Sequence, residues 1–446
     1  MKRILLAAAL LMSFTFAGAQ PRDAQAAASA VSKAIKATEK AEVKAAAKGR
    51  TVKPDVYIKV AKAYIDAYDF PSTNVVLGTP RNEVKLFIKD QPVISSENKR
   101  GGDGSNYTVD TYADKQLWYT DKGTLAACVV TKPVMEDDML AKAYEAVEKA
   151  VAVDEDGKKT KDIEQLYESL HQRYSNQAFA YYTEGDFSAA ASSFEAALPL
   201  YDNKTMNKVD SMSTYYSGIF EAMSGNNEKA RTYYQKAIDI GYYSDGNAFS
   251  GLSNIYIAEG DTVTGMKILE EGFAKFPQNQ GILVGLINGY VTSKKDPQKL
   301  FDLLHSAEVN EPNNPSLYYV EGNVNKDLGK KDEAVACYHK ANEADTTYEY
   351  GYLGEGIMLY DEAVGISNAA QEELDDAKYN KMMDEAEACL KNAIEPFESA
   401  FRISKNEDVK MAVAEYLRNI YFRFREKGDE YMQKYQKYNS MLKGSD

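Results

Sequence analysis

The sequence predicts an all-α chain of stacked helical hairpins, an α-solenoid, with a small β insertion near the N-terminus. Three observations predict it. A helix–turn–helix pattern recurs after about residue 160. Its turns fall at Gly185-Asp186, Gly225-Asn226, Gly260-Asp261, Lys295-Asp296 and Gly329-Lys330, 34 to 40 residues apart. Within the units, small residues alternate with aromatics at helical spacing, as where helices cross closely: Ala178, Tyr181, Ala190, Phe194 and Ala197, or Ala334, Tyr338 and Ala341. Between residues 70 and 136 that period breaks, and β-prone runs bounded by turn residues replace it.

Taken in order, residues 1–19 read as a secretory signal. Lys2-Arg3 precedes an apolar run from Ile4 to Phe16, and Ala17-Gly18-Ala19 offers small residues for cleavage before Gln20. An uncleaved anchor is the competing reading, but a helix needs roughly 20 apolar residues to cross hydrocarbon. No cysteine lies near the site, which argues against a lipid anchor, and no later run approaches spanning length. The expectation is a periplasmic or secreted protein with no membrane insertion after signal cleavage. Residues 20–52 are rich in Ala and Lys and lack a wide apolar stripe, so a mobile or partly helical lead-in is expected.

Residues 53–160 read as a first hairpin, with helices at about 53–69 and 137–153 and the β insertion, about 70–136, at its turn. Strands are expected at 84–88, 116–119 and 124–130, the last two joined by Asp121-Lys122-Gly123. The stretch 98–106 is expected to be a polar, Gly-rich loop.

Residues 161–446 hold the array. Its units lie at about 171–204, 211–244, 246–279, 281–314, 315–348 and 349–399, with a capping hairpin at 411–443. The clearest is the fifth, with Tyr318, Gly322, Gly329, Ala334, Tyr338 and Ala341. In the third, Gly265 and Gly272 stand where the other units place alanine, and the fourth is recognised only by Leu304, Ala307 and Pro312. The sixth opens with Tyr352 and Gly356 and carries extra residues before Ala386, Leu390 and Ala393. Over about residues 162–444 this array resembles the tetratricopeptide repeat family, whose motif places small residues, a Tyr and an Ala–aromatic–Ala series at these positions. The resemblance implies a scaffold that binds a protein or an extended peptide.

Composition narrows the function further. The net charge of −14, or −16 once Lys2 and Arg3 are removed, repels phosphate backbones and anionic lipid, so no nucleic-acid partner is expected. Cys128, Cys337 and Cys389 are too few for a disulfide framework, and buried free thiols are expected over a Cys337–Cys389 bridge. His171, His305 and His339 fall in three repeats at unrelated places and are expected as exposed helix residues. No zinc spacing, phosphate loop or nucleophile elbow appears. Gly101-Gly102-Asp103-Gly104 lacks the lysine of a P-loop and the terminal glutamate of an EF-hand, and so reads as a surface loop. The chain is therefore expected to be no enzyme, with no metal and no small-molecule cofactor.

A binding face is suggested by a second stripe on the first helix of each unit, set apart from the packing stripe at about 100° per residue. In the family this stripe lines a concave groove. Its candidate contact residues are Tyr182, Tyr215, Asn247, Asn254, Tyr319, Asn323, Lys326 and Tyr350. Lys326 is the one charge on the stripe, in a chain that is 27% charged. Relatives that clamp acidic C-terminal tails use Lys, Arg and Asn here, so that activity is not carried over. The expected function is an envelope scaffold with an uncharged, aromatic-rich groove. The alternative is a glycan-binding protein of the nutrient-uptake type.

Overall fold

The computed structural model describes residues 23–88, 90–293 and 296–443. The expected signal, 1–19, lies outside the described residues, as does Lys295 of the fourth turn. Among the described residues are eighteen α-helices and one four-stranded antiparallel sheet, so the predicted class is the observed one. None of these helices is long and apolar enough to cross a membrane. The chain divides into two units, residues 1–268 and 269–446.

The first unit opens with α1 (Ala24–Ala46), whose N-terminus is capped by Asp23 accepting from the Ala26 N–H at 2.7 Å. Of the two readings of the lead-in, mobile or partly helical, the second fits: Ala24–Ala46 is helical and residues 47–53 are not. Its seam is narrow because its core residues are small: Ala27 and Val31 are fully buried in a cluster shared with Ile58 and Ala61 of α2 (Pro54–Asp69). Asp69, at the end of α2, accepts from Arg173 Nε at 2.8 Å, tying it to a helix a hundred residues away. α2 packs on α4 (Met139–Val153) through Ile65, Ala143, Val147 and Ala150.

Between α2 and α4 lie α3 (Arg81–Phe87) and strands β1 (Ser95–Arg100), β2 (Asn106–Thr111), β3 (Lys115–Tyr119) and β4 (Leu125–Val130). The strand expected at 84–88 is a correction: it is the helix α3. Val84 and Ile88, four apart, face inward, while Leu86 and Phe87 are exposed. Five residues did not separate a period of two from one of 3.6. A second correction concerns 98–106: residues 101–105 are a loop, but 98–100 and 106 belong to the strands of a hairpin, with Asn98 opposite Thr108 and Arg100 opposite Asn106. β1 escaped notice because Ser-Ser-Glu-Asn-Lys-Arg carries no apolar face.

The sheet runs β1-β2-β3-β4; β1 is exposed, and β2–β4 bury residues on both faces. One face gives Leu117, Tyr119 and Leu125 to a cluster with Val84 and Ile88 of α3. The other gives Tyr107, Val109, Trp118 and Val129 to a cluster touching Ala180. Ala180 lies on α5 (Thr160–Glu184), the first helix of the array. Period-two alternation therefore splits the sheet between its own small helix and the array.

From α5 onward several helix ends are set by local chemistry. Gly185 takes φ of 98°, and Asp186 then caps α6 (Phe187–Tyr201) by accepting from the Ala189 N–H at 2.9 Å. Asp210 caps α7 (Ser211–Met223), and Asn226 caps α8 (Asn227–Asp239). α9 (Asn247–Ala258) is followed by α10 (Thr262–Lys275). Gly265, found in place of the usual alanine, is required there: a Cβ would lie 2.5 Å from Ile257. Ala178, Ala190, Phe194 and Ala197 are all fully buried, as the small–aromatic–small pattern demands.

The second unit continues through α11 (Gln280–Ser293), α12 (Pro297–Asn310), α13 (Pro315–Asp327) and α14 (Lys331–Ala344). Then come α15 (Glu349–Ala370), α16 (Asp376–Ile403), α17 (Glu407–Phe424) and α18 (Asp429–Lys443). The extra residues of the sixth unit lengthen α15 to 22 residues and α16 to 28, so they extend a hairpin rather than form a loop. Cys128, Cys337 and Cys389 are free thiols, as expected, but only Cys337 is buried; the other two are half-buried.

Candidate partner-binding face

In the first unit the structure buries two of the four predicted stripe residues, Tyr182 and Tyr215. Tyr182 is 1% exposed, its ring 5.1 Å from that of Phe220. The tip of the β1–β2 hairpin sits against its backbone: Gly102 donates its N–H to the Thr183 carbonyl at 3.1 Å. A Cβ on Gly102 would meet the Tyr182 carbonyl at 2.2 Å. Tyr182 is thus a core residue, and the Gly-rich segment expected as a free surface loop is a docking contact. Tyr215 is likewise corrected. It is 8% exposed, ringed by Tyr216, Tyr234 and Tyr242 at 5.7, 6.0 and 5.6 Å, and burial raises its phenol above its ordinary pKa. Asn247 and Asn254, both on α9, are exposed.

In the second unit the predicted residues do converge. Tyr319 on α13 and Tyr350 on α15 are half-buried, their rings 5.9 Å apart. Tyr348 completes a triangle, 6.2 Å from Tyr319 and 5.4 Å from Tyr350. Tyr338 backs it at 6.1 Å from Tyr319 and donates its hydroxyl to Asn323 Oδ1 at 2.9 Å. That bond turns the Asn323 carbonyl inward and leaves its NH2 to donate elsewhere. Lys326, one turn on, is half-buried. Tyr348 was missed because it precedes α15, outside the helical stripe. The Tyr348-x-Tyr350 alternation was the available signal.

The histidines divide. His305 and His339 are exposed, but His171 is buried, a correction to the expectation that all three face solvent. His171 Nε2 lies 2.6 Å from Asp210 Oδ2 and 3.2 Å from Ser213 Oγ, and its ring stacks on Tyr201 at 4.0 Å. These residue types suggest a nucleophile relay, but the geometry does not. In a relay the imidazole bridges base partner and nucleophile through its two nitrogens, whereas here both partners share one. Asp210 also accepts from the Ser213 N–H at 2.9 Å, so the group fastens α5 to the start of α7. Burial pushes the Asp210 carboxyl up, but the bonds from His171 and Ser213 outweigh it and hold it below its ordinary value.

Among the described residues one group has ligand atoms placed for a metal. His305, Glu308 and Glu321 bring theirs within 4.8 Å of one another. Burial and the neighbouring Glu321 push the Glu308 carboxyl up to about 7.

Residues 315–348, the α13–α14 hairpin, match the tetratricopeptide repeat as a family profile. No curated protein matches the chain. Solved structures with similar folds include YrrB, titled a tetratricopeptide-repeat protein with an unusual peptide-binding site. It is 16% identical and covers 50% of this chain and 99% of its own, with a TM-score of 0.35. MamA is 18% identical, covering 41% and 94%, with a TM-score of 0.30. A repeat protein from Bacteroides fragilis NCTC 9343 is also 18% identical, covering 55% and 97%, with a TM-score of 0.28. Likenesses of this size carry no argument about function.

Proposed function

We propose that this chain, a protein of tetratricopeptide repeats, is a non-catalytic scaffold of the cell envelope whose second unit binds an extended polypeptide. The reading rests on one observation, the half-buried Tyr319–Tyr348–Tyr350 triangle with Asn323 and Lys326 beside it. Tyrosine gives contact area at low entropy cost, and a carboxamide bonds a peptide backbone whatever its sequence. The envelope location is supported by residues 1–19, and N-terminal sequencing of exported protein should begin at Gln20.

Peptides selected on the purified protein from a random library provide the test. Tyr319→Ala and Tyr350→Ala should each weaken the best peptide by about 1–2 kcal/mol. Affinity should change little with salt, since few charges meet. Unchanged affinity in both variants, or binding only on a glycan array run alongside, would refute this reading.

A further inference from the structure

His305 and Glu308 are three residues apart on α12 and therefore share a face. Across the turn, Glu321 of α13 meets them: its Oε1 lies 3.3 Å from His305 Nε2. Glu321 is 9% exposed, and no hydrogen bond reaches its Oε2 or Glu308 Oε1. Glu308 is half-buried, yet both carboxylates have a buried, unpartnered oxygen, and two such oxygens within reach of each other call for a shared proton or a cation between them. The nearby Lys340 ammonium sits over the Tyr318 ring, 5.9 Å from its centroid.

We propose that His305, Glu308 and Glu321 form a binding site for one divalent transition cation of the zinc class. Three considerations select that class. One imidazole nitrogen and two carboxylates are the donor set of an open zinc site, with the fourth position left to solvent at the exposed His305 edge. Ca2+ asks for 6–8 oxygen ligands, at least three times the two that Glu308 and Glu321 offer as single donors. Tetrahedral bonds of about 2.0–2.1 Å put ligand atoms about 3.4 Å apart, close to the 3.3 Å already between His305 and Glu321. Seating the ion therefore asks mainly for a rotamer adjustment of Glu308. Because the ligands come from both sides of the α12–α13 turn, the ion would cross-link two successive hairpins.

The test is calorimetric titration of Zn2+ into tag-free, chelator-stripped full chain, with Ca2+ titrated in parallel. One equivalent of Zn2+ should bind, and Ca2+ should give no comparable heat. His305→Ala, at an exposed position that leaves the fold intact, and Glu321→Gln, which preserves shape, should each weaken Zn2+ binding by at least roughly tenfold. His339→Ala, in the next hairpin, should bind as the wild type does. No binding to the wild type, equal affinity in His305→Ala, or preference for Ca2+ would overturn the assignment.

Discussion

Gly102 and Tyr182 lie so close that no side chain fits between them: a Cβ on Gly102 would stand 2.2 Å from the Tyr182 carbonyl oxygen. Gly102→Val should therefore unseat the β1–β2 hairpin from α5 at a cost of about 1–3 kcal/mol. The chain's single tryptophan, Trp118, lies in the cluster beneath and reports the event. In denaturant its emission should shift to the red before the helical circular dichroism falls. Coincident transitions in wild type and variant would show that the contact contributes nothing.

Tyr215→Ala should now destabilise rather than weaken binding. Emptying a site ringed by three tyrosines should cost about 3–5 kcal/mol, as large-to-small changes of aromatics in cores do. Tyr319→Ala, at a half-buried ring, should cost clearly less. Chemical denaturation of both separates core residue from contact residue, and equal losses would erase the distinction.

Ala334 is fully buried beside Tyr338 and Met358. Ala334→Leu should overpack that crossing by about 1–3 kcal/mol. Lys331→Ala removes an exposed pair with Glu362 and should cost no more than about 1 kcal/mol. Thermal melts of the two variants side by side decide this.

Asp210 gives the fold an acid sensitivity with a definite sign. Its folded pKa is depressed, so its contribution is present above the unfolded carboxylate value and is lost as pH falls through the folded one. Asp210→Asn leaves His171 with a poorer partner and should cost about 1–3 kcal/mol at neutral pH. Its stability should then fall less steeply than the wild type's as acid is added. Parallel acid-unfolding curves for the two proteins would exclude the assignment.

Helix ends were legible because their chemistry is local. A glycine at positive φ followed by an Asp or Asn cap occupies two adjacent residues, as at Gly185-Asp186 and Gly225-Asn226. The identity of β1 was not, because it is held by β2 and not by any apolar face of its own. The stripe was legible as a pattern, yet Tyr182 packs its ring on Phe220 of the next repeat, and its backbone meets a hairpin eighty residues earlier in the chain. The His305–Glu308–Glu321 group was hidden similarly: its first two members share a helix face, but the third arrives only when two hairpins stack.

The seat of the β1–β2 hairpin also imposes an order in time. Its strands are complete by Val130, but the carbonyl that accepts from Gly102 belongs to Thr183, beside the Tyr182 backbone. A ribosome adding about 5–20 residues per second makes the hairpin tip wait some seconds for its platform. Through that interval Tyr107 and Trp118 have an open apolar side. The same gap recurs whenever the chain is threaded N-terminus first through a narrow channel. The sheet's second face is thus uncovered until α5 has been made.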